Sequence, residues 1–297
     1  MSDQLWILCT GILVAIVCAL PGSLLMLRRQ ALMGDAIAHA VLPGIFWAYW
    51  VSGGADSLIF LPGAAISGWV AAQAIAWLSK DNRLSSDAST GLVFTFLFAV
   101  GVILISAFSR QTDLDQECVL FGDIIWVPLE VFRTEQGLSL GPQAVWILCI
   151  TLVLFLAVIF IGFKGWMLTS FDPVFAQIAG YRVWLWSAVL MAMTSLSSVA
   201  AFRSVGAVLV IAFLAVPPAI AALYTKSLRR QLWDSCFWGS ISTVSGWGLA
   251  LYWDVSISGM MAVMTGVWFL IVWSFLRIRR WYKNTSYATS HQATPTS

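Results

Sequence analysis

Charged side chains are scarce in this sequence. Only 10% of its 297 residues are Asp, Glu, Lys or Arg, against about 25% in an ordinary soluble domain. Hydrophobic residues make up 60% of the chain, and the mean hydropathy is +0.87. So little charge cannot cover the surface of a soluble globular protein, and so much hydrophobicity excludes a disordered chain. The composition indicates a polytopic membrane protein.

Several sequence motifs that carry chemistry are also missing. The chain has no GxxxxGK[ST] phosphate-binding loop, no HExxH or GxSxG motif and no kinase signature. Its five cysteines form no CxxC pair, and a net charge of +2 on scattered basic residues argues against nucleic-acid binding. We therefore expect no enzymatic activity and no permanently bound cofactor. If ATP drives this protein, the ATPase must be a separate chain.

Long apolar runs dominate the rest of the sequence. Each run except the second, which is the shortest, is long enough to cross roughly 30 Å of hydrocarbon. The runs lie at residues 5–27, 36–51, 58–78, 91–108, 142–163, 184–202, 205–224, 235–253 and 257–276. The sequence therefore predicts an all-α, polytopic integral membrane protein. We expect one membrane domain over residues 1–282, followed by a polar tail without regular structure over 283–297.

The distribution of basic residues predicts the orientation. If the N-terminus lies outside, all but three of the 16 Lys and Arg residues fall on the cytoplasmic side. The exceptions are Arg110, Arg133 and Arg203. This asymmetry is what the positive-inside rule requires. We therefore expect an outer N-terminus and a cytoplasmic C-terminus.

The longest outer connection, residues 109–141, is rich in acidic side chains. Two interpretations of it stay open. It is either a solvated acidic loop, or residues 118–128 form a re-entrant or interfacial helix beside a cation entrance, because so short an apolar stretch cannot span a bilayer.

Asp35 and His39 are the most informative ionisable residues, because charged groups at apolar spans are costly and mark functional sites. Four residues apart on a helix, they share one face, and carboxylate and imidazole together suit Zn²⁺, Mn²⁺ or Fe²⁺. A second subunit on a two-fold axis would complete a four-ligand cage. Alternatively, Asp35 caps a helix and His39 hydrogen-bonds a neighbouring helix. The spacing leaves both interpretations open.

A short segment at 171–180 has the signals of a capped helix. Asp172 is the expected N-cap, Pro173 the first helical residue and Gly180 the stop. The segment is either an ordinary connector or a cytoplasmic helix that docks a soluble partner. The apolar side chains available for contact are Phe171, Val174, Phe175 and Ile178.

Pro217 and Pro218 lie inside the apolar run at 205–224. Two prolines remove backbone donors and clash with the preceding turn, so the pair predicts a kinked or broken helix. Broken helices are common around transport sites, although plain kinks also occur.

The stretch RRQALMGDAIAHAVLPG at residues 28–44 closely resembles the motif of the zinc, manganese and iron permeases of bacterial ATP-binding-cassette importers. Further stretches agree with that family in order and spacing. They are 91–95, 120–123, 171–180 and 205–207, the last leading to the two prolines. The resemblance extends over about residues 5–280.

This resemblance implies a permease in the bacterial inner (plasma) membrane that imports Mn²⁺, Zn²⁺ or Fe²⁺. Members are often described with eight spans, so we expect eight or nine. The implied partners are an identical or paralogous permease, a cytoplasmic ATP-binding subunit, an extracytoplasmic metal-binding protein and membrane lipid. Asp35 and His39 become metal ligands, and 171–180 becomes the helix that couples to the ATPase. The alternatives are a permease for a siderophore or cobalamin chelate, a proton-coupled carrier, or an intramembrane metal-dependent enzyme.

Overall fold

In a computed structural model the chain is almost entirely helical. The structure describes residues 3–30, 33–34, 36, 40, 42–52, 57–79, 84–108, 124–129, 131–133 and 139–291. The helices in these ranges are α1 (Asp3–Leu27), α2 (Leu42–Ser52), α3 (Ser57–Leu78), α4 (Ser86–Phe108), α5 (Gln143–Ile161), α6 (Phe163–Phe171), α7 (Pro173–Ile178), α8 (Val183–Val205), α9 (Ala207–Ala222), α10 (Leu228–Trp253) and α11 (Ile257–His291). A 3-10 helix (Ile124–Leu129) precedes a small antiparallel hairpin of β1 (Val131–Arg133) and β2 (Ser139–Pro142). The predicted helical class is confirmed.

Four of the described helices are long and apolar enough to cross a membrane by length and composition. They are α1, α5, α8 over Val183–Phe202, and α11 over Ile257–Arg279. Shorter apolar stretches occupy Ile66–Leu78, Ala88–Leu104 and Ala207–Ala222. The predicted run at 142–163 corresponds to α5.

Helix α1 is the centre of the bundle. It packs against α5, α8, α9 and α10, and it is buried along most of its length. Its two buried hydroxyls find acceptors within the helix, since Thr10 Oγ1 donates to the carbonyl of Trp6 (2.8 Å) and Ser23 Oγ to that of Ala19 (2.6 Å). Such bonds allow hydroxyls to lie in an apolar core without the free-energy cost of an unpaired polar group.

A second group of helices, α2 to α4, joins this bundle through contacts between α3 and α8. Small residues allow α2 and α3 to approach closely. A Cβ on Gly63 would lie 2.6 Å from the Cβ of Ala48. Close approach at small residues is how apolar helices pack without a hydrophobic driving force between them.

Helices α8 and α9 are separated by a single residue, Gly206. Gly206 has φ 81° and ψ 163°, a conformation that only glycine adopts readily. The helix boundary therefore lies at this glycine.

The sequence predicts a kink or a break at Pro217 and Pro218; the helix has no break there, and the kink stays a prediction. Helix α9 continues through both prolines to Ala222, and both are buried. The carbonyl of Leu214, which Pro218 leaves without its helical donor, lies against Gly22 of α1. Gln231 Nε2 of α10 donates to the carbonyl of Pro218 itself (2.7 Å), a contact that joins α10 to α9 beside the prolines.

The connection at 109–141 is partly folded onto the bundle. Ile124 and Val127 of the 3-10 helix are buried, and this helix contacts α1, α8 and α11. Residues 109–123, which carry most of the predicted acidic surface, lie outside the described residues. The described end of the 118–128 segment is a 3-10 helix packed on the bundle, and both interpretations of the rest of the connection stay open.

The C-terminal region also differs from expectation. We predicted a polar tail without regular structure from residue 283, but α11 continues as a helix to His291. A helix that has already formed gains one hydrogen bond for each residue added, and residues 283–291 contain no glycine or proline.

Candidate functional site

The predicted metal ligands, Asp35 and His39, lie outside the described residues, but their neighbours show where the motif runs. Met33, Gly34, Ala36 and Ala40 have helical backbone and are buried. These described residues of the motif therefore lie inside the protein. Among the described residues, no three His, Cys, Asp or Glu side chains come together as a metal-binding group.

Gly34, next to Asp35 in sequence, lies where three helices meet. A Cβ at this position would be 3.3 Å from Leu25 Cδ1 of α1 and 3.9 Å from both Thr194 Cγ2 of α8 and Leu214 Cδ1 of α9. Farther along the motif, the Ser67 hydroxyl of α3 donates to the carbonyl of Ala40 (2.8 Å). Gly34 thus lies beside α1, α8 and α9, and Ala40 beside α3.

Helix α8 presents a buried group of hydroxyls near Gly34. Thr194, Ser195, Ser197 and Ser198 are fully buried. Thr194 Oγ1 donates to the carbonyl of Leu190 (2.9 Å), while Ser197 and Ser198 donate to that of Thr194 (2.8 and 2.9 Å). Each of these three oxygens keeps lone pairs that can accept a further hydrogen bond. Our sequence analysis missed this group, although four hydroxyls in five positions of an apolar run were a visible signal.

The segment at 171–180 folds as its local signals predict. Helix α7 begins at Pro173, and Asp172 Oδ1 accepts a hydrogen bond from the backbone N–H of Phe175 (2.9 Å), as an N-cap does. After the helix, Gly180 has φ 85° and the N–H of Tyr181 donates to the carbonyl of Ala176 (2.9 Å). The glycine therefore allows the turn that ends the helix.

Helix α7 exposes apolar side chains and is anchored by one small residue. Val174 is 68% exposed and Ile178 80%, and Phe171 and Phe175 are each about half exposed, whereas Ala176 is fully buried. The helix contacts α6 and α8. Exposed apolar side chains on a capped helix outside the apolar spans form a surface that a folded partner can cover.

Arg28, the first residue after α1, reaches into the region just before α7. Its Nη2 donates to Thr169 Oγ1 (2.8 Å), its Nη1 to Ser187 Oγ (2.9 Å) and its Nε to Ser170 Oγ (3.4 Å). Its Cζ lies 5.7 Å from the ring centroid of Trp166, a cation–π distance. Burial lowers the pKa of Arg28 to about 10, so it stays charged at neutral pH. Sequence reasoning assigned Arg28 only to the cytoplasmic side and missed these contacts.

A bundle of apolar helices, several of them long enough to cross a membrane, defines a multi-pass membrane protein. The model of the ABC 3 transport family matches residues 4–276, and the chain belongs to this family. The resemblance found in the sequence is therefore confirmed.

Named relatives support this membership. The chain is 45% identical over 267 residues to the manganese transport system membrane protein MntD of Bacillus subtilis, which covers 90% of each chain. It is 39% identical over 268 residues to the zinc transport system membrane protein TroD of Treponema pallidum, covering 89% of this chain and 72% of that one. Among solved structures it is similar to PsaBC from Streptococcus pneumoniae in complex with Fab, with a TM-score of 0.74, 30% identity and coverage of 92% and 91%.

Proposed function

We propose that this protein is the membrane subunit of an ATP-driven importer of divalent transition metal ions, with Mn²⁺ as its principal substrate. The observation that carries the proposal is the 45% identity to a manganese transport protein across 90% of both chains. The zinc transport relative makes Zn²⁺ the second candidate. Fe²⁺ stays a candidate because the same ligand types accept it.

We infer that the metal path runs beside the motif at 33–40. Asp35 and His39 hold the ion transiently, one as a carboxylate and the other as a neutral imidazole, both of which bind such ions. Two ligands hold an ion weakly enough to release it. In a dimer with an identical or paralogous permease, four ligands would meet on the two-fold axis. The hydroxyls of α8 near Gly34 add polar oxygens to an otherwise apolar wall.

Helix α7 is the proposed contact with a cytoplasmic ATP-binding subunit. Its exposed Val174, Phe175 and Ile178 support this role, because they offer apolar area outside the spans. Phe171, Asp172, Pro173 and Gly180 fix the start and end of that surface. Pro217 and Pro218, in the continuous helix α9, pack along α1 and belong to the wall of the path rather than to a broken helix.

The proposed orientation has the N-terminus outside and the C-terminus in the cytoplasm of a bacterial cell, in the inner (plasma) membrane. Eight or nine spans then cross the membrane. The acidic connection at 109–141 faces an extracytoplasmic metal-binding protein, whose cation it would attract. ATP binding and hydrolysis in the partner subunits would open the path alternately to the two sides.

The direct experiment measures transport by the assembled importer. The permease is reconstituted in proteoliposomes with its ATP-binding subunit and its metal-binding protein, and entry of radiolabelled Mn²⁺ is followed with and without ATP. We expect uptake only with ATP, and competition by Zn²⁺. Equal uptake without the ATPase would indicate a proton-coupled carrier instead. Uptake of a siderophore or cobalamin chelate with no transport of free Mn²⁺ would indicate a chelate permease.

A further inference from the structure

Arg28 joins three parts of the chain that lie far apart in sequence. Its hydrogen-bond partners are 141, 142 and 159 positions away, on α6 and α8. The partners are hydroxyls, and Thr169 Oγ1 itself donates to the carbonyl of Gly165 (2.8 Å), so it is free to accept from the guanidinium. A planar guanidinium with donors in fixed directions sets the relative position of all three elements.

The α6 end of this contact lies directly before the exposed helix α7. Thr169 and Ser170 are buried, and Asp172, the N-cap of α7, follows Ser170 by two residues. Trp166, one turn earlier in α6, is fully buried and packs edge to face on Trp186 of α8, with ring centroids 4.8 Å apart. The base of α7 is therefore held rigidly at the position where Arg28 binds.

The other end of the contact lies directly before the metal motif. The N–H of Arg29 donates to the carbonyl of Met26 (3.1 Å), and that of Gln30 to Leu25 (2.9 Å), while Arg29 has φ 57°. This pair of bonds with a left-handed residue is a Schellman motif, which ends α1 in one fixed geometry. The N–H of Met33 then donates to the carbonyl of Gln30 (3.0 Å), so the motif segment starts from the same turn.

We propose that Arg28 is a positioning residue that links movement of α7 to the segment carrying Asp35 and His39. This inference rests on the proposed function, in which α7 receives the movement of the ATPase. A shift of α7 displaces Thr169 and Ser170, and the guanidinium carries that displacement to the end of α1 and the start of the motif.

The test measures Mn²⁺ uptake and phosphate release together in the reconstituted importer, for Arg28→Gln and Arg28→Lys. Coupling between two sites typically amounts to about 5- to 150-fold, so we expect Mn²⁺ transported per ATP to fall by about tenfold in Arg28→Gln. Arg28→Lys keeps the positive charge but lacks the several fixed donors of the guanidinium. Its Mn²⁺-to-ATP ratio should therefore lie between those of the wild type and Arg28→Gln. Arg29→Gln is the matched control, because its side chain is exposed, and it should keep the wild-type ratio.

An unchanged ratio in Arg28→Gln, or an equal fall of uptake and hydrolysis, would overturn the inference, because a merely structural role lowers both together. If the Arg28 variants fail to assemble, a Thr169→Val, Ser187→Ala double variant removes two acceptors while keeping the arginine. It should lower the ratio in the same direction, and a wild-type ratio there would likewise overturn the inference. A wild-type importer that hydrolyses ATP but moves no Mn²⁺ would instead contradict the proposed function itself.

Discussion

Gly22 of α1 packs directly against the carbonyl oxygen of Leu214 in α9. Leu214 lies four residues before Pro218, which has no N–H, so this carbonyl lacks its usual helical donor. The missing side chain at residue 22 lets the α1 backbone approach the carbonyl closely, an arrangement that favours weak Cα–H to oxygen contacts. The glycine and the proline on these two helices therefore compensate for each other.

Substitution of Gly22 by alanine should destabilise the protein. The added Cβ would overlap the Leu214 carbonyl and lie 3.1 Å from Pro218 Cγ, so α1 and α9 must separate. We expect the free energy of unfolding to fall by about 1–3 kcal/mol, as is typical of overpacking. The measurement is the thermal unfolding midpoint in detergent, which should be lower than that of the wild type. Gly248→Ala in α10 is the control, because a Cβ there meets no atom within 4 Å. Equal midpoints for the two variants would contradict this account of the α1–α9 contact.

Acidic residues on the exposed face of α7 should prevent assembly with the ATPase. Ile178→Asp leaves the fold intact because the side chain is exposed, but it places a charge in the proposed contact. Loss of a central contact residue weakens the binding free energy by about 2 kcal/mol or more, which is ~30-fold in affinity. We therefore expect less ATP-binding subunit to co-purify with Ile178→Asp than with the wild type.

Val255→Asp provides the matched control for α7. Val255 is also an exposed apolar residue, but it lies in the connection between α10 and α11. Its substitution should leave ATPase binding unchanged. If both variants bind the ATPase like the wild type, α7 is an ordinary connector.

Arg29 is held in a left-handed conformation that suits glycine. Relief of this strain should make Arg29→Gly more stable by about 1 kcal/mol, and the thermal unfolding midpoint should rise. Arg29→Ala loses the same charge but keeps a Cβ, so it should gain little. A similar gain in both variants would assign the effect to charge rather than to backbone conformation.

The sequence predicted features whose causes are local. Asp172, Pro173 and Gly180 act within two turns of chain, so helix α7 could be predicted from their spacing alone. The contacts of Arg28 could not, because its partners lie more than 140 positions away and are ordinary serine and threonine residues.

At the two prolines, contacts with another helix override what the local sequence predicts. Local rules predict a kink or a break, but Gly22 of α1 lies against the carbonyl that Pro218 leaves without a donor, and no local rule includes this contact. The hydroxyls at 194–198 were visible as an unusual run, yet only the fold brings Thr194 close to Gly34. The family could be predicted because motifs along the whole chain match it in order and spacing.

The most direct test of the central claim is ATP-dependent uptake of radiolabelled Mn²⁺ by proteoliposomes carrying the importer with Asp35→Asn or His39→Ala. Asp254→Asn and His291→Ala are matched controls with the same changes elsewhere, and ATPase co-purification verifies assembly. We predict that uptake is lost in the first pair and retained in the second, with assembly intact in all four. Wild-type uptake by Asp35→Asn and His39→Ala would contradict the account, because the ion would then pass without these ligands.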